Sequence, residues 1–140
     1  LARKVSPALA AKLKGFRSGL EDKVADELKA GGHAFEYEKL KIAYVKPARK
    51  ANYTPDFVIL GNGVIIETKG RFLTEDRQKH LLVKDQHPSL DIRFVFSSSK
   101  TRISKTSKTT YGMWCETHGF KYADKSIPTA WLHEPPKGIQ

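Results

Sequence analysis

The 140-residue chain is long enough to bury one core without disulfides, and its 39% hydrophobic, 29% charged composition is that of a globular protein. No stretch approaches the roughly 18 to 20 apolar residues of a membrane span, and the basic N-terminus, LARKVSPALAAKLKGF, lacks the apolar run of a secretory signal, so no membrane partner is expected. Twenty-five Lys and Arg against fifteen Asp and Glu leave a net charge of +10, which points to a polyanionic partner, nucleic acid foremost.

The sequence opens at Leu1 rather than methionine, which suggests trimmed ends. Residues 1–17 are expected to form a basic arm, residues 18–135 a single domain and residues 136–140 a tail. The stretch SGLEDKVADELKA (18–30) predicts a helix, with Ser18 as N-cap, Glu21 three residues later and Gly31-Gly32 as the stop. On the helical wheel Leu20, Val24, Leu28 and Ala25 span an arc of roughly 140°, and Glu21 falls inside it at about 100°. Glu21 either closes a capping box on the Ser18 backbone or carries charge inward for another purpose, and the two roles are compatible.

FEYEKLKIAYV (35–45) alternates as Phe35/Tyr37 and then Leu40/Ile42/Tyr44, and the change of parity suggests a bulge or bend in one long or broken strand. KPARKAN (46–52) reads as a basic connecting loop. Two apolar strands flank Gly61-Asn62-Gly63, and Asn62-Gly63 is the signature of a two-residue hairpin turn. A helix capped by Thr74 runs to about Gln86 and is stopped by Pro88; with the strand DIRFVFS (91–97) it predicts a right-handed parallel crossover. After the polar, basic 97–110 loop, a short helix from Tyr111 to His118 ends at Gly119, FKYA adds a last strand, and PPKGIQ reads as a poorly ordered tail. The lone Cys115 excludes an internal disulfide and reads as a small buried side chain.

The chemistry concentrates in YTPDFVILGNGVIIETKG (53–70), where strand-forming residues surround Asp56, Glu67 and Lys69. With Asn62-Gly63 as the turn, Asp56 lies across from Lys69 and Val58 across from Glu67. Asp56, Val58, Leu60, Ile65, Glu67 and Lys69 then share one face, and Phe57, Ile59, Val64, Ile66 and Thr68 the other. A bland arrangement, an Asp56–Lys69 ion pair with Glu67 reaching solvent, accounts for only one acid. Two carboxylates roughly 5 to 8 Å apart repel in a partly dry site unless a cation lies between them. Asp56 and Glu67, with a backbone carbonyl near Thr68, are sufficient ligands for Mg²⁺ or Mn²⁺. Lys69 would orient and help deprotonate a water or stabilise charge developing on a phosphate. Such a set suits phosphodiester hydrolysis.

Pro55-Asp56 followed by Glu67-Thr68-Lys69 resembles the PD-(D/E)xK nuclease signature. FRSGLEDKV (16–24), FEYE (35–38), YTPDF (53–57), ETKG (67–70), KHLL (79–82), QHP (86–88), FSSS (96–99) and the Ile127-Pro128…Trp131 pattern extend the likeness over residues 15–135 to the podophage endonuclease I family, enzymes that resolve four-way (Holliday) DNA junctions. The resemblance implies an α/β fold with a mixed sheet flanked by helices, and Glu21 as a further metal ligand. It implies up to two Mg²⁺ or Mn²⁺ ions per active site and no organic cofactor. It also implies an intertwined homodimer in which residues 18–45 are exchanged, 46–52 form the connector, and Glu21 of one subunit joins Asp56, Glu67 and Lys69 of the other. Branched DNA would be the substrate and the cytoplasm of a bacterial host the location.

No close Cys/His set with metal-ligand spacing exists, and His33 and His133 read as surface residues. His80, near Arg77 and Lys79, either contacts the scissile phosphate or lies on a helix surface. Arg3, Lys4, Lys12, Lys14 and Arg17 on the arm, Arg77 and Lys79 beside His80, and Lys100, Arg102, Lys105 and Lys108 on the 97–110 loop, are candidate phosphate contacts. No base-reading motif appears, so branch shape rather than sequence is the expected target. Two alternatives are a broader nuclease for mismatched or flapped DNA and a non-catalytic branched-DNA-binding module.

Overall fold

A computed structural model describes Gly15 and residues 18–46 and 49–136. Helix α1 (Gly19–Ala30) starts where Ser18 Oγ accepts the Glu21 N–H at 3.1 Å, satisfying one of the free donors of the first turn. Strands β1 (Phe35–Tyr37), β4 (Phe57–Ile59), β5 (Ile65–Lys69), β6 (Ile92–Phe96) and β7 (Lys121–Asp124) form one sheet in the order β1-β4-β5-β6-β7. The first three are antiparallel and the last three parallel, so the sheet is mixed. Helix α2 (Thr74–Gln86) links β5 to its parallel neighbour β6, the predicted crossover, and α3 (Tyr111–His118) precedes β7. A short helix, α4 (Thr129–Leu132), closes the described chain.

Four local expectations are corrected. The 35–45 stretch is two strands in different sheets: Glu38, at φ 51°, turns the chain after β1, and β2 (Ile42–Lys46) pairs instead with β3 (Arg49–Tyr53). Much of the presumed 46–52 loop is therefore strand; residues 47 and 48 of the connector lie outside the described residues. Helix α2 is capped by Leu73 rather than Thr74, because Asp76 reaches back to accept the Leu73 N–H at 3.2 Å. The β4–β5 turn spans residues 60–63 rather than Asn62-Gly63, since Ile59 N–H donates to Val64 O and Gly63 N–H to Ile59 O.

That last correction shifts the register by two: Phe57 faces Ile66 and Val58 faces Ile65, so continuing the pattern brings Asp56 opposite Glu67 instead of Lys69. The reason lies in Asn62. Its buried amide accepts from Val64 N–H and donates to Trp131 O, so the loop is shaped by a contact 69 residues away as well as by local turn preference. A two-residue shift preserves parity, and the division of the apolar side chains between the two faces survives it. Asp56 is a correction: expected on the face of Glu67, its carboxylate turns to Thr68, a residue of the other face.

Both faces are covered. Val58, Ile65, Phe72, Val83, Phe94, Phe96 and Trp114 build one core with β2 and β3, while Val24, Leu28, Phe57, Ile59, Ile66 and Trp131 build the other beneath α1. Each such side chain contributes about 1.5–3 kcal/mol on burial. Cys115 is buried, as expected. Arg93 in β6 is the exception in composition, since it is fully buried. Its guanidinium is held by Asp91 and Glu134 and lies 5.2 Å from the Trp131 ring, which fastens the chain after α4 to the sheet.

Candidate active site

Three elements meet at the carboxyl end of β5. Asp56 follows Pro55 just before β4, and its Oδ2 accepts both the Thr68 N–H (2.9 Å) and the Thr68 hydroxyl (2.8 Å). Glu21 lies on the buried face of α1 and accepts the Tyr37 hydroxyl at 2.9 Å. Glu38, just past the end of β1, donates its N–H to Asp56 O at 3.2 Å. One carboxylate oxygen each from Glu21, Glu38 and Asp56 lies within 4.8 Å of the others. A cleft of about 270 Å³ is lined by Ser18, Glu21, Asp56, Thr68, Lys69, Gly70 and Arg71.

Glu67 is adjacent but held differently. Its Oε1 accepts the Tyr53 hydroxyl and, at 3.2 Å, the Asp56 N–H, so it is tied to Asp56 through the backbone and does not line the cleft. Burial, and then the Asp56 charge, push its carboxyl up to about 8; Lys69, Tyr53 and Lys79 oppose the shift only partly. The same burial, with Glu67 beside it, raises the Tyr53 phenol well above its ordinary range. Lys69 Nζ stands 3.8 Å from Glu67 Oε2 and 3.6 Å from Asp76 Oδ1, at the cleft wall. Thr68, expected to lend its carbonyl, contributes its N–H and hydroxyl to Asp56.

The structure thus gathers Glu21, Asp56 and Lys69 around one cleft, with Glu67 next to it. Reasoning from sequence missed Glu38, Tyr37, Tyr53, Asp76 and Arg71. The FEYE and YTPDF blocks contain three of them, Tyr37, Glu38 and Tyr53, but only their place in three dimensions reveals the roles.

The expected phosphate contacts divide. Lys100, Arg102, Lys105 and Lys108 are exposed on the 97–110 loop, and Lys79 is half-buried beside the Tyr53 ring. Arg77 and His80 are corrections. Arg77 is buried, its guanidinium donating to Phe72 O and Thr74 Oγ1. His80 is fully enclosed, edge-on to the rings of Tyr53 and Phe94 at 5.1 and 4.9 Å, and neither reaches a phosphate nor lies on a helix surface. Both its ring nitrogens lack hydrogen-bond partners, and burial, reinforced by Lys69 and Lys79, lowers its pKa well below the ordinary range. Arg3, Lys4, Lys12, Lys14 and Arg17 lie outside the described residues.

A mixed sheet that delivers converging carboxylates and a lysine to a cleft on a strongly basic chain defines a nuclease. Comparison with known proteins makes this specific. The family described as phage endonuclease I matches residues 2–140. Endonuclease I of Escherichia phage T7 is 56% identical over 128 residues, 91% of this chain and 85% of that protein. Endodeoxyribonuclease 1 of Enterobacteria phage T3 is 54% identical over 126 residues, 90% and 82% of the two chains. The chain belongs to the phage endonuclease I family and is a deoxyribonuclease.

Proposed function

We propose that the protein is a divalent-metal-dependent endonuclease of the PD-(D/E)xK type that resolves four-way DNA junctions and related branches. The observation that carries this reading is the convergence of Glu21, Glu38 and Asp56 within 4.8 Å, beside the Glu67-Thr68-Lys69 strand. Three carboxylates that close repel unless protons or a cation intervene, and an all-oxygen donor set suits a hard ion such as Mg²⁺ or Mn²⁺. Glu21, Glu38 and Asp56 would hold it, and Glu67 would join them once deprotonated. A bound ion supplies Lewis-acid polarisation of the phosphodiester and a more acidic water.

The chain's own groups do the rest. Thr68 fixes the Asp56 carboxylate with two hydrogen bonds, and Tyr37 fixes Glu21, so both oxygens are oriented before substrate arrives. Lys69, steadied between Glu67 and Asp76, directs its ammonium to the charge that develops on the phosphate as water attacks and the strand's P–O bond breaks. The exposed lysines and arginine of the 97–110 loop bind phosphates without reading bases.

Resolution needs two related nicks, which a two-fold dimer supplies. The β2–β3 hairpin pairs only with itself among the described strands. Opening the chain in the 46–52 connector would carry residues 18–45 to a partner, so that Glu21 and Glu38 of one chain meet Asp56 of the other while the Asp56, Glu67 and Thr68 contacts stay within a chain. Mixing a Glu21→Ala subunit with an Asp56→Ala subunit tests this: exchanged dimers regain one intact site per heterodimer, unexchanged ones none. The cytoplasm of a bacterial host is the proposed place of action, a reading supported by the phage origin of the related proteins. The activity itself is tested by comparing Mg²⁺-dependent cleavage of a cruciform and its linear duplex; equal rates on both would refute junction selectivity.

A further inference from the structure

The carboxyl ends of the parallel strands β5 and β6 open into two adjoining concavities. One is the catalytic cleft. The other, of about 420 Å³, is walled by residues 70–73 leaving β5, by residues 101–105 of the loop after β6, and by Tyr111. The two share Gly70 and Arg71. The second wall is a built surface. Ile103 N–H donates to Thr109 O and Tyr111 N–H to Thr101 O, both at 2.8 Å. Arg102 pairs with Thr110 in an isolated bridge, and Ser97 N–H ties the loop's start to Lys69 O at 3.1 Å.

The lining chemistry is one-sided. Arg71, Arg102 and Lys105 are exposed, no carboxylate lines the groove, and Leu73, 52% exposed, stands with the half-buried Ile103 as apolar wall. Cations without counter-charges, spaced around an apolar surface, match a polynucleotide strand, which offers a phosphate and a base face at every step. A strand with its scissile phosphate in the cleft and running toward the β6 loop must cross Gly70 and Arg71.

We propose that this groove is a second substrate subsite, which receives the nucleotide flanking the cut on the same strand. Arg71 holds a phosphate at the shared rim, Arg102 and Lys105 hold the next, and Leu73 with Ile103 receives a base face left unstacked at a branch. The subsite rests on the nuclease reading and extends it. It explains how a site without base-reading side chains favours a branch: in continuous duplex the base face is not free to enter.

The test uses the full chain and four-way junctions carrying a single methylphosphonate, which removes one phosphate charge, at each position within two nucleotides of the cut. Dissociation constants are measured in Ca²⁺ for the parent and for the exposed-residue variants Arg71→Ala, Arg102→Ala and Lys105→Ala, with thermal melting as a check of fold. At one or two positions the methylphosphonate should weaken the parent about tenfold. The matching variant should bind the unmodified junction about tenfold more weakly, with no further loss on the modified one, and its salt slope should fall by about one. Independent losses at every position, or variants that bind as tightly as the parent, overturn the proposal. Cleavage of the unmodified junction by the parent in Mg²⁺ reports separately on the nuclease reading.

Discussion

Strand β5 separates two neighbourhoods that treat a carboxylate in opposite ways. On the cleft side, Glu21, Glu38 and Asp56 bring oxygens within 4.8 Å of one another at a wall open to solvent. On the other, Glu67 is 3% exposed and bonded to Tyr53, whose ring packs on the enclosed His80, and its carboxyl is raised to about 8. The first arrangement crowds carboxylates whose repulsion a cation held between them would relieve; the second is relieved by a proton kept on Glu67. The Asp56 N–H, donated to Glu67, and Lys69, at the cleft wall 3.8 Å from Glu67 Oε2, join them. Glu21 and Asp56, at 4% and 6% exposure, are nearly as enclosed as Glu67, so the difference lies in the cleft that they line and Glu67 does not.

The comparison breaks most severely at Asp56. Asp56→Asn retains the hydrogen-bonding shape but removes the central charge of the open cluster. Single-turnover cleavage of a junction in Mg²⁺ should fall on the order of 10³-fold, while binding in Ca²⁺ stays within a few-fold. A variant that cleaves at the parent rate would remove Asp56 from the chemistry. Glu38→Gln should act through metal affinity: the Mg²⁺ concentration for half-maximal cleavage should rise roughly 10- to 100-fold, with a smaller change at saturation. An unchanged metal titration would make Glu38 a structural residue of the β1 turn. On the Glu67 side, Tyr53→Phe removes one of the hydrogen bonds to a buried acid, and melting should report a loss of about 1–3 kcal/mol.

How far the sequence discloses this division depends on the kind of information each feature needs. The α1 cap, the β5-α2-β6 crossover and the two apolar faces of the β4–β5 hairpin follow from local patterns, and those faces tolerate a wrong register because the shift of two preserves alternation, whereas Asp56, just before β4, turns to Thr68 instead of sharing the face of Glu67. The register itself was not legible, since Asn62 answers to Trp131 as well as to its own dipeptide. Asp56, Glu67 and Lys69 stand out because charges are rare among strand formers. Glu38 did not stand out: it looks like any glutamate in a polar turn until its left-handed backbone brings it beside Asp56. Arg77 and His80 misled for a related reason. A basic residue in a polar helix suggests solvent, and only the packing of α2 against Phe72 and Tyr53 shows that they point inward.

The smallest effect separates the two neighbourhoods by pH. In metal-free protein Glu67 keeps its proton to about 8 when folded but loses it near its ordinary 4.5 when unfolded. Between those values the folded state binds more protons, so its contribution is complete below 4.5 and is lost as pH rises through 8. His80 has the opposite slope. Folded, its pKa is well below 6.5, so the unfolded state binds the extra proton and stability is lost as pH falls below 6.5. From 4.5 to 6.5 the two slopes oppose; above 6.5 only Glu67 acts, and stability should fall by about 2 kcal/mol up to pH 8. Chemical denaturation in EDTA across pH 4 to 9 measures this. Glu67→Gln should flatten the alkaline fall and His80→Phe the acid one. Saturating Mg²⁺ should remove the alkaline fall in the parent if the ion takes the place of the Glu67 proton. A parent curve that is level from 6.5 to 8 without metal would mean that Glu67 is already ionised, and the contrast between Glu67 and the cleft carboxylates would lose its basis.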